Sequence, residues 1–137
     1  MKINPYLTFN GKCEEAFKFY EKCFGGTIVA MFPHGEVPTS EQVPEDWHTK
    51  IMHAQLMVGD NAILGSDNPP QHFSEPQGFY VSVSIDTPEE ADRVFHILAE
   101  NGNVRMPIME TFWALRFGML VDQFGTPWMI NCHKPNF

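Results

Sequence analysis

The sequence predicts an α+β fold in which one chain carries two successive βαβββ modules. Three observations predict it. Two segments, PYLTFNGKCEEAFKFYEKCFGG (5–26) and FYVSVSIDTPEEADRVFHILAENGN (79–103), run through the same order of parts: a short β-rich run, a turn, Glu-Glu-Ala, a helical stretch and a glycine. Each segment is followed by three strand-like runs. The length, 137 residues with 43% hydrophobic and 19% charged content, is that of a single domain able to bury a core without metal or disulfide staples. Two generic α+β halves sharing Glu-Glu-Ala by coincidence are the competing account, and the matching element order in both halves argues against it.

Module one spans about residues 1–66. Its helix carries a stripe of Ala16, Phe17, Tyr20 and Phe24, and Gly25-Gly26 ends it. The runs TIVAMF (27–32), KIMHAQLMV (50–58) and NAILGS (61–66) then read as strands, with Gly59-Asp60 turning the last two into a hairpin. PHGEVPTSEQVPEDWHT (33–49) interrupts them with three prolines and an isolated Trp47, and reads as a lid or a dimer-contact arm. A linker of about 67–78 leads to module two, about 79–137. There Val81, Val83 and Ile85 alternate with Tyr80, Ser82 and Ser84, the period of a half-buried strand. Thr87-Pro88-Glu89-Glu90 supplies a cap, a proline at the first helical position and early carboxylates. Ala91, Val94, Phe95 and Leu98 form the buried stripe, and Gly102 is expected to stop the helix. NVRMPIM (103–109), WALRFGMLV (113–121) and PWMINCH (127–133) complete the module.

A formal net charge of −8 argues against nucleic acid or an anionic membrane as partner, because both reward basic patches. Cys13, Cys23 and Cys132 fit no C-x-x-C spacing and read as free thiols. With no apolar run of signal-peptide or membrane-span length, the expected location is the cytoplasm. Twelve Phe and eight Met suit either a soft core or an adaptable apolar pocket. Cys13 falls in the first helical turn, where the dipole lowers a thiol pKa, but no base stands near it in sequence. DQFG (122–125) is a turn before the last strand, not a kinase metal loop.

The stretches PYLTFNGKCEEAFKFYEKCFGG, HAQLMVGDNAILGSD (53–67) and FGMLVDQFGTPWMIN (117–131) resemble the PhnB-like branch of the vicinal oxygen chelate superfamily. That superfamily includes glyoxalase I, extradiol dioxygenases, and fosfomycin and bleomycin resistance proteins. The resemblance implies a curved mixed sheet around a cavity, the glyoxalase/bleomycin-resistance-like fold, and usually a homodimer. It implies no single reaction, because this fold hosts many. A Rossmann-type methyltransferase is excluded despite methyltransferase labels attached to related sequences, since FGG (24–26) ends a helix and is no dinucleotide fingerprint. Metal-dependent members present four His, Gln or Glu ligands from the first and fourth strands of each module. Aligning the helices puts Pro5, Gly65, Tyr80 and Met129 at those positions, with Asn131 one same-face step further on. These offer no ligand set for a hard or borderline divalent ion. A one-residue shift brings in Asn4 or Tyr6, Leu64 or Ser66, Phe79 or Val81, and Trp128 or Ile130, which do no better. The expectation is no metal and no cofactor.

Strand alternation then orients the polar residues. Met52, Ala54, Leu56 and Val58 face the helix, and Ile51, His53, Gln55 and Met57 face the concave side. By the same alternation the cavity is lined by His53, Gln55, Tyr80, Met129 and Asn131, a mixed wall typical of small-molecule pockets. His53 is the best general acid or base among them. Its other reading, with Gln55, is a structural hydrogen bond across strands or at a dimer seam. Trp113 and Arg116 are further ligand-binding candidates, the arginine as a planar donor for a carboxylate or phosphonate-like group. Equally, Trp113 is core and Arg116 pairs with a surface acid. The leading function is a metal-free small-molecule binder. The alternatives are an enzyme using His53 or Tyr80 for proton transfer, and a metalloenzyme with a non-standard site, so whether a reaction is catalysed stays open.

Overall fold

The computed structural model describes residues 1–36 and 43–137. The chain divides into two units, Met1–Ser74 and Glu75–Phe137. Each is a four-stranded mixed sheet with one helix, the α+β plan expected.

In unit one, β1 (Tyr6–Phe9), α1 (Cys13–Phe24), β2 (Thr27–Pro33), β3 (Ile51–Val58) and β4 (Asn61–Asp67) form a sheet in the order β1-β4-β3-β2. β1 runs parallel to β4, and the other neighbours are antiparallel. The helix is amphipathic by spacing: Cys13, Ala16, Phe17, Tyr20 and Cys23 are all fully buried. Cys23 is buried as well, while Phe24, on the same stripe by spacing but the last residue of the helix, stays half-buried. Opposite them, Leu7, Phe9, Ala54, Leu56 and Ile63 complete the core, with Phe9 edge-on to Phe17 at 6.2 Å. His34–Glu36 and Glu45–Trp47 are single 3₁₀ turns. The His34 N–H donates to the Lys50 carbonyl and the Gly35 N–H to that of His48, which ties the two ends of this segment together. Residues 37–42, the middle of the stretch expected to be a lid or dimer-contact arm, lie outside the described residues.

In unit two, β5 (Val81–Ser84), α2 (Pro88–Ala99), β6 (Asn103–Met109), β7 (Ala114–Val121) and β8 (Pro127–His133) form a sheet in the order β5-β8-β7-β6. The Thr87 hydroxyl accepts from the Glu90 N–H at 3.2 Å, the cap expected, with Pro88 opening the helix. Ala91, Val94, Phe95 and Leu98 are buried against Leu120, Trp128 and Ile130. Asn101, not Gly102, takes the left-handed turn that ends the helix, at φ 56°. Gly102 is required for a different reason: a Cβ there would lie 2.5 Å from the Val121 carbonyl oxygen. The same close approach recurs in unit one, where a Cβ on Gly26 would lie 2.5 Å from the Met57 oxygen. Phe79 would face the core if the alternation of Val81 and Val83 ran back to it, but it is 48% exposed, since it precedes β5 and does not follow that alternation. None of the helices among the described residues is long and apolar enough to cross a membrane.

Candidate functional site

Unit one presents a polar cluster on the sheet face away from α1. In β3 the alternation holds: Ala54 and Leu56 are buried under the helix, and His53 and Gln55 take the other face. In register, Tyr6, Leu64 and Gln55 form one row across β1, β4 and β3, and His53 stands beside Phe32 of β2. The Tyr6 hydroxyl lies 3.2 Å from His53 Nδ1, with the two rings 5.9 Å apart. The Gln55 amide donates to the Met57 thioether at 3.3 Å. Ile51, expected beside His53, is 2% exposed and buried.

Tyr6 was not among the residues singled out from the sequence, although Leu7 and Phe9 flank Thr8 and pack under the helix. That alternation sends Tyr6 and Thr8 to the helix-free face and makes Tyr6, not Pro5, the counterpart of Tyr80. The Glu-Glu-Ala alignment misses this because the two strand-to-helix connections differ in length. The last core-facing residue within the first strand precedes its helix by one fewer residue in unit one (Phe9 before Cys13) than in unit two (Val83 before Pro88). Gly65 likewise faces the helix, where a Cβ would meet the Phe17 ring at 2.7 Å.

Unit two carries a softer face. Ser82, Met129, Met119 and Met106 form one row across β5, β8, β7 and β6, and Ser84, Asn131, Phe117 and Met109 form the next. Trp113 leans edge-on against Phe117 at 5.3 Å, and Tyr80 immediately precedes β5. The Asn131 amide donates to Ser82 Oγ at 3.1 Å and to the Val83 carbonyl at 3.4 Å. Arg105, a second residue that sequence inspection passed over, donates to the Tyr80 hydroxyl at 3.4 Å. No local signal marks it, since β6 pairs irregularly between Val104 and Met106. Arg116 stands apart from this group. It is opposite the buried Cys132 on the helix side and donates to Asp92 of α2 at 2.9 Å, the pairing with an acid that its second reading described.

The superfamily's metal chelate does not fit these residues. On the helix-free side the first and fourth strands offer Tyr6, Leu64 and Ser66 in unit one, and Ser82, Met129 and Asn131 in unit two, with Tyr80 beside them. A phenol, hydroxyls, a thioether and an amide are poor or weak donors for a hard or borderline divalent cation. Among the described residues there is no grouping of three or more His, Cys, Asp or Glu able to hold a metal ion.

One strongly built polar group serves the fold. Asp67, at the end of β4 and 1% exposed, accepts from the backbone N–H groups of Gly11, Cys13 and Ile51, each at 2.9 Å. It does for α1 what a capping side chain would do, since Lys12 at the cap position makes no such bond. The Cys13 thiol beside it is pushed well above its ordinary value, first by burial and then by the Asp67 and Glu14 carboxylates. The helix start therefore does not make Cys13 a nucleophile.

Residues 1–131 match the family described as 3-demethylubiquinone-9 3-methyltransferase. Protein YjdN of Escherichia coli K12 is 36% identical, with 98% of this chain and 97% of that protein covered. The crystal structure of PA1353 from Pseudomonas aeruginosa is 48% identical with a TM-score of 0.89, covering 97% of this chain and 98% of its own. A putative 3-demethylubiquinone-9 3-methyltransferase, PhnB protein, from Bacillus cereus is 28% identical with a TM-score of 0.80, covering 96% and 99%. At 12% identity, a glyoxylase/bleomycin resistance protein/dioxygenase domain from Frankia sp. EAN1pec shares the fold alone, with a TM-score of 0.67 over 98% of each chain. With its paired βαβββ units, the chain belongs to the 3-demethylubiquinone-9 3-methyltransferase family, the PhnB-like family its motifs resemble, and it has the fold of the glyoxalase/bleomycin-resistance proteins.

Proposed function

We propose that this protein binds a small organic molecule on the helix-free faces of its sheets, through side chains and without the superfamily's four-ligand metal. The observation that carries this reading is the Tyr6–His53 pair, 3.2 Å apart on a sheet face that also carries Gln55 and Phe32. Directional polar groups set among apolar and aromatic ones are the make-up of small-molecule sites. Tyr80, Met129, Asn131 and Trp113 give unit two a comparable face. Arg116, committed to Asp92, has the weakest claim of the candidates. We place the protein in the cytoplasm as a homodimer. Free, buried thiols support the first, and exposed Met109, Phe112 and Phe137 supply apolar surface for the second. Sedimentation at micromolar concentration checks the dimer, and a monomer alone would refute it.

A second reading has its own observation. A phenol hydrogen-bonded to an imidazole is a proton-transfer pair, so His53 assisted by Tyr6 would serve an enzyme that needs no metal. A metalloenzyme with a displaced site gains no ligand cluster from the described residues.

The test is a thermal-shift screen of the wild type and His53→Ala, because a ligand raises apparent stability by mass action. The matched family is described by a methyl transfer, so S-adenosylmethionine belongs in the panel. His53→Ala should fold with a loss of about 1 kcal/mol while binding any hit at least roughly tenfold more weakly. A variant that loses several times that stability yet binds normally would show His53 to be structural.

A further inference from the structure

Asn131 is 4% exposed, and its Oδ1 is a buried oxygen that accepts nothing from the described residues. Turning the amide over does not cure this. Nδ2 is held at 3.4 Å from the Val83 carbonyl, which only accepts, and at 3.1 Å from Ser82 Oγ. Buried side-chain acceptors are nearly always paired, since an unpaired one keeps its desolvation cost.

Arg105 is the second group short of a partner. Unit two holds Arg93, Arg105, Arg116 and Lys134 as its Lys and Arg residues. Three are ion-paired: Arg93 with Glu90, Arg116 with Asp92 and Lys134 with Glu110. Arg105 has no carboxylate among the described residues and contacts only the Tyr80 hydroxyl, at 3.4 Å. β5 and β6 are the outer strands of the sheet, and this contact joins the residue just before β5 to β6 on the opposite edge. Between the two edges lie Met129 and Met119, neighbours in register, with Phe117 and Trp113 beyond.

We infer that the helix-free face of unit two takes a small organic anion with an apolar body and an N–H or O–H donor. The donor pairs with Asn131 Oδ1, the anionic group with the Arg105 guanidinium, and the body rests on the two thioethers. Thioethers adapt to many shapes, so selectivity comes from the two polar ends. This assignment rests on the small-molecule reading above and adds the ligand class.

Three probes test it on the full chain by titration calorimetry and NMR: 4-hydroxyphenylacetate, phenylacetate, which lacks the donor, and 2-(4-hydroxyphenyl)ethanol, which lacks the anion. The hydroxy acid should bind roughly tenfold more tightly than either of the others. Asn131→Leu should erase its advantage over phenylacetate, and Arg105→Gln its advantage over the alcohol. Arg105 is exposed, so the second variant folds even where the first does not. Equal binding of all three probes, a preference that survives its variant, or no binding up to millimolar concentration overturns the inference. A library of neutral compounds run in parallel separates the two claims. Hits there that ignore Asn131 and Arg105 but need His53 overturn the ligand class and keep the small-molecule reading, and an empty library with silent probes overturns both.

Discussion

In unit one the sheet face away from the helix carries a phenol, an imidazole and an amide; in unit two it carries thioethers, aromatic rings and one amide. The backbones beneath are alike in strand order, in the parallel pairing of first and last strands, and in the close approach at Gly26 and Gly102. Repetition has kept what holds a helix on a sheet and released what the sheet presents on its other side. The buried carboxylates show the same split. Asp67 joins three segments far apart in sequence, whereas Asp122 closes a local turn, accepting from Phe124 and Thr126 N–H and from the Trp128 indole.

The largest expected effect breaks that symmetry. Asp67→Ala strands three buried or half-buried N–H donors and uncouples α1 from β3 and β4, at a cost of roughly 3–5 kcal/mol. Asp122→Ala costs roughly 2–3 kcal/mol, because its turn retains a Gly125 to Asp122 backbone bond. Urea denaturation of both variants reads the difference. Equal losses would mean that the two carboxylates are interchangeable staples.

Next come the glycines, where the units should agree. Gly26→Ala and Gly102→Ala each push a methyl group onto a carbonyl oxygen at 2.5 Å, and each should cost about 2–4 kcal/mol. A variant tolerated in one unit alone would show that the shared backbone is only approximate.

Smaller still is the effect of Cys13, whose thiol is raised above its ordinary 9.0 by burial and by its acidic neighbours. A thiol neutral in the fold but ionised in the open chain contributes stability that is intact below about pH 9 and is lost as pH rises beyond it. The wild type should therefore lose stability from about pH 9 upward more steeply than Cys13→Ala. Iodoacetamide at pH 8 should leave the native thiol unlabelled. Matching pH slopes, or rapid native labelling of Cys13, would contradict this.

The sequence made the repeat legible because alternation and helical stripes are local: β6 and β8 fall where their runs were drawn. Asp67 was not legible. By sequence it belongs to the linker, since nothing near it reveals that Gly11, Cys13 and Ile51 converge on it. The first-strand register slipped for a related reason, a connection one residue shorter than its partner's. Arg116 follows an irregularity between Ala114 and Arg116 that no alternation rule foresees. In β3, regular in its pairing with β4 from Ala54 to Val58, alternation puts Gln55 on the face opposite Ala54 and Leu56 as expected, and it fails at Ile51, where the pairing with β2 shifts.

The smallest effect bears most directly on function. Tyr6–His53 at 3.2 Å and Tyr80–Arg105 at 3.4 Å are the two units' corresponding polar contacts, since each involves a tyrosine at or just before the first strand. A double-mutant cycle of Tyr6→Phe and His53→Ala should give a coupling of about 0.5–1 kcal/mol, the worth of a hydrogen bond between partly exposed groups. The cycle of Tyr80→Phe and Arg105→Gln should give less than about 0.5 kcal/mol, because the contact is longer and the arginine is exposed. If both couplings are this small, neither pair exists to hold the fold, and both are free to exchange their partners for a ligand. A coupling of several kcal/mol in unit one would make Tyr6–His53 a structural clasp, and the case for a binding face there would fall with it.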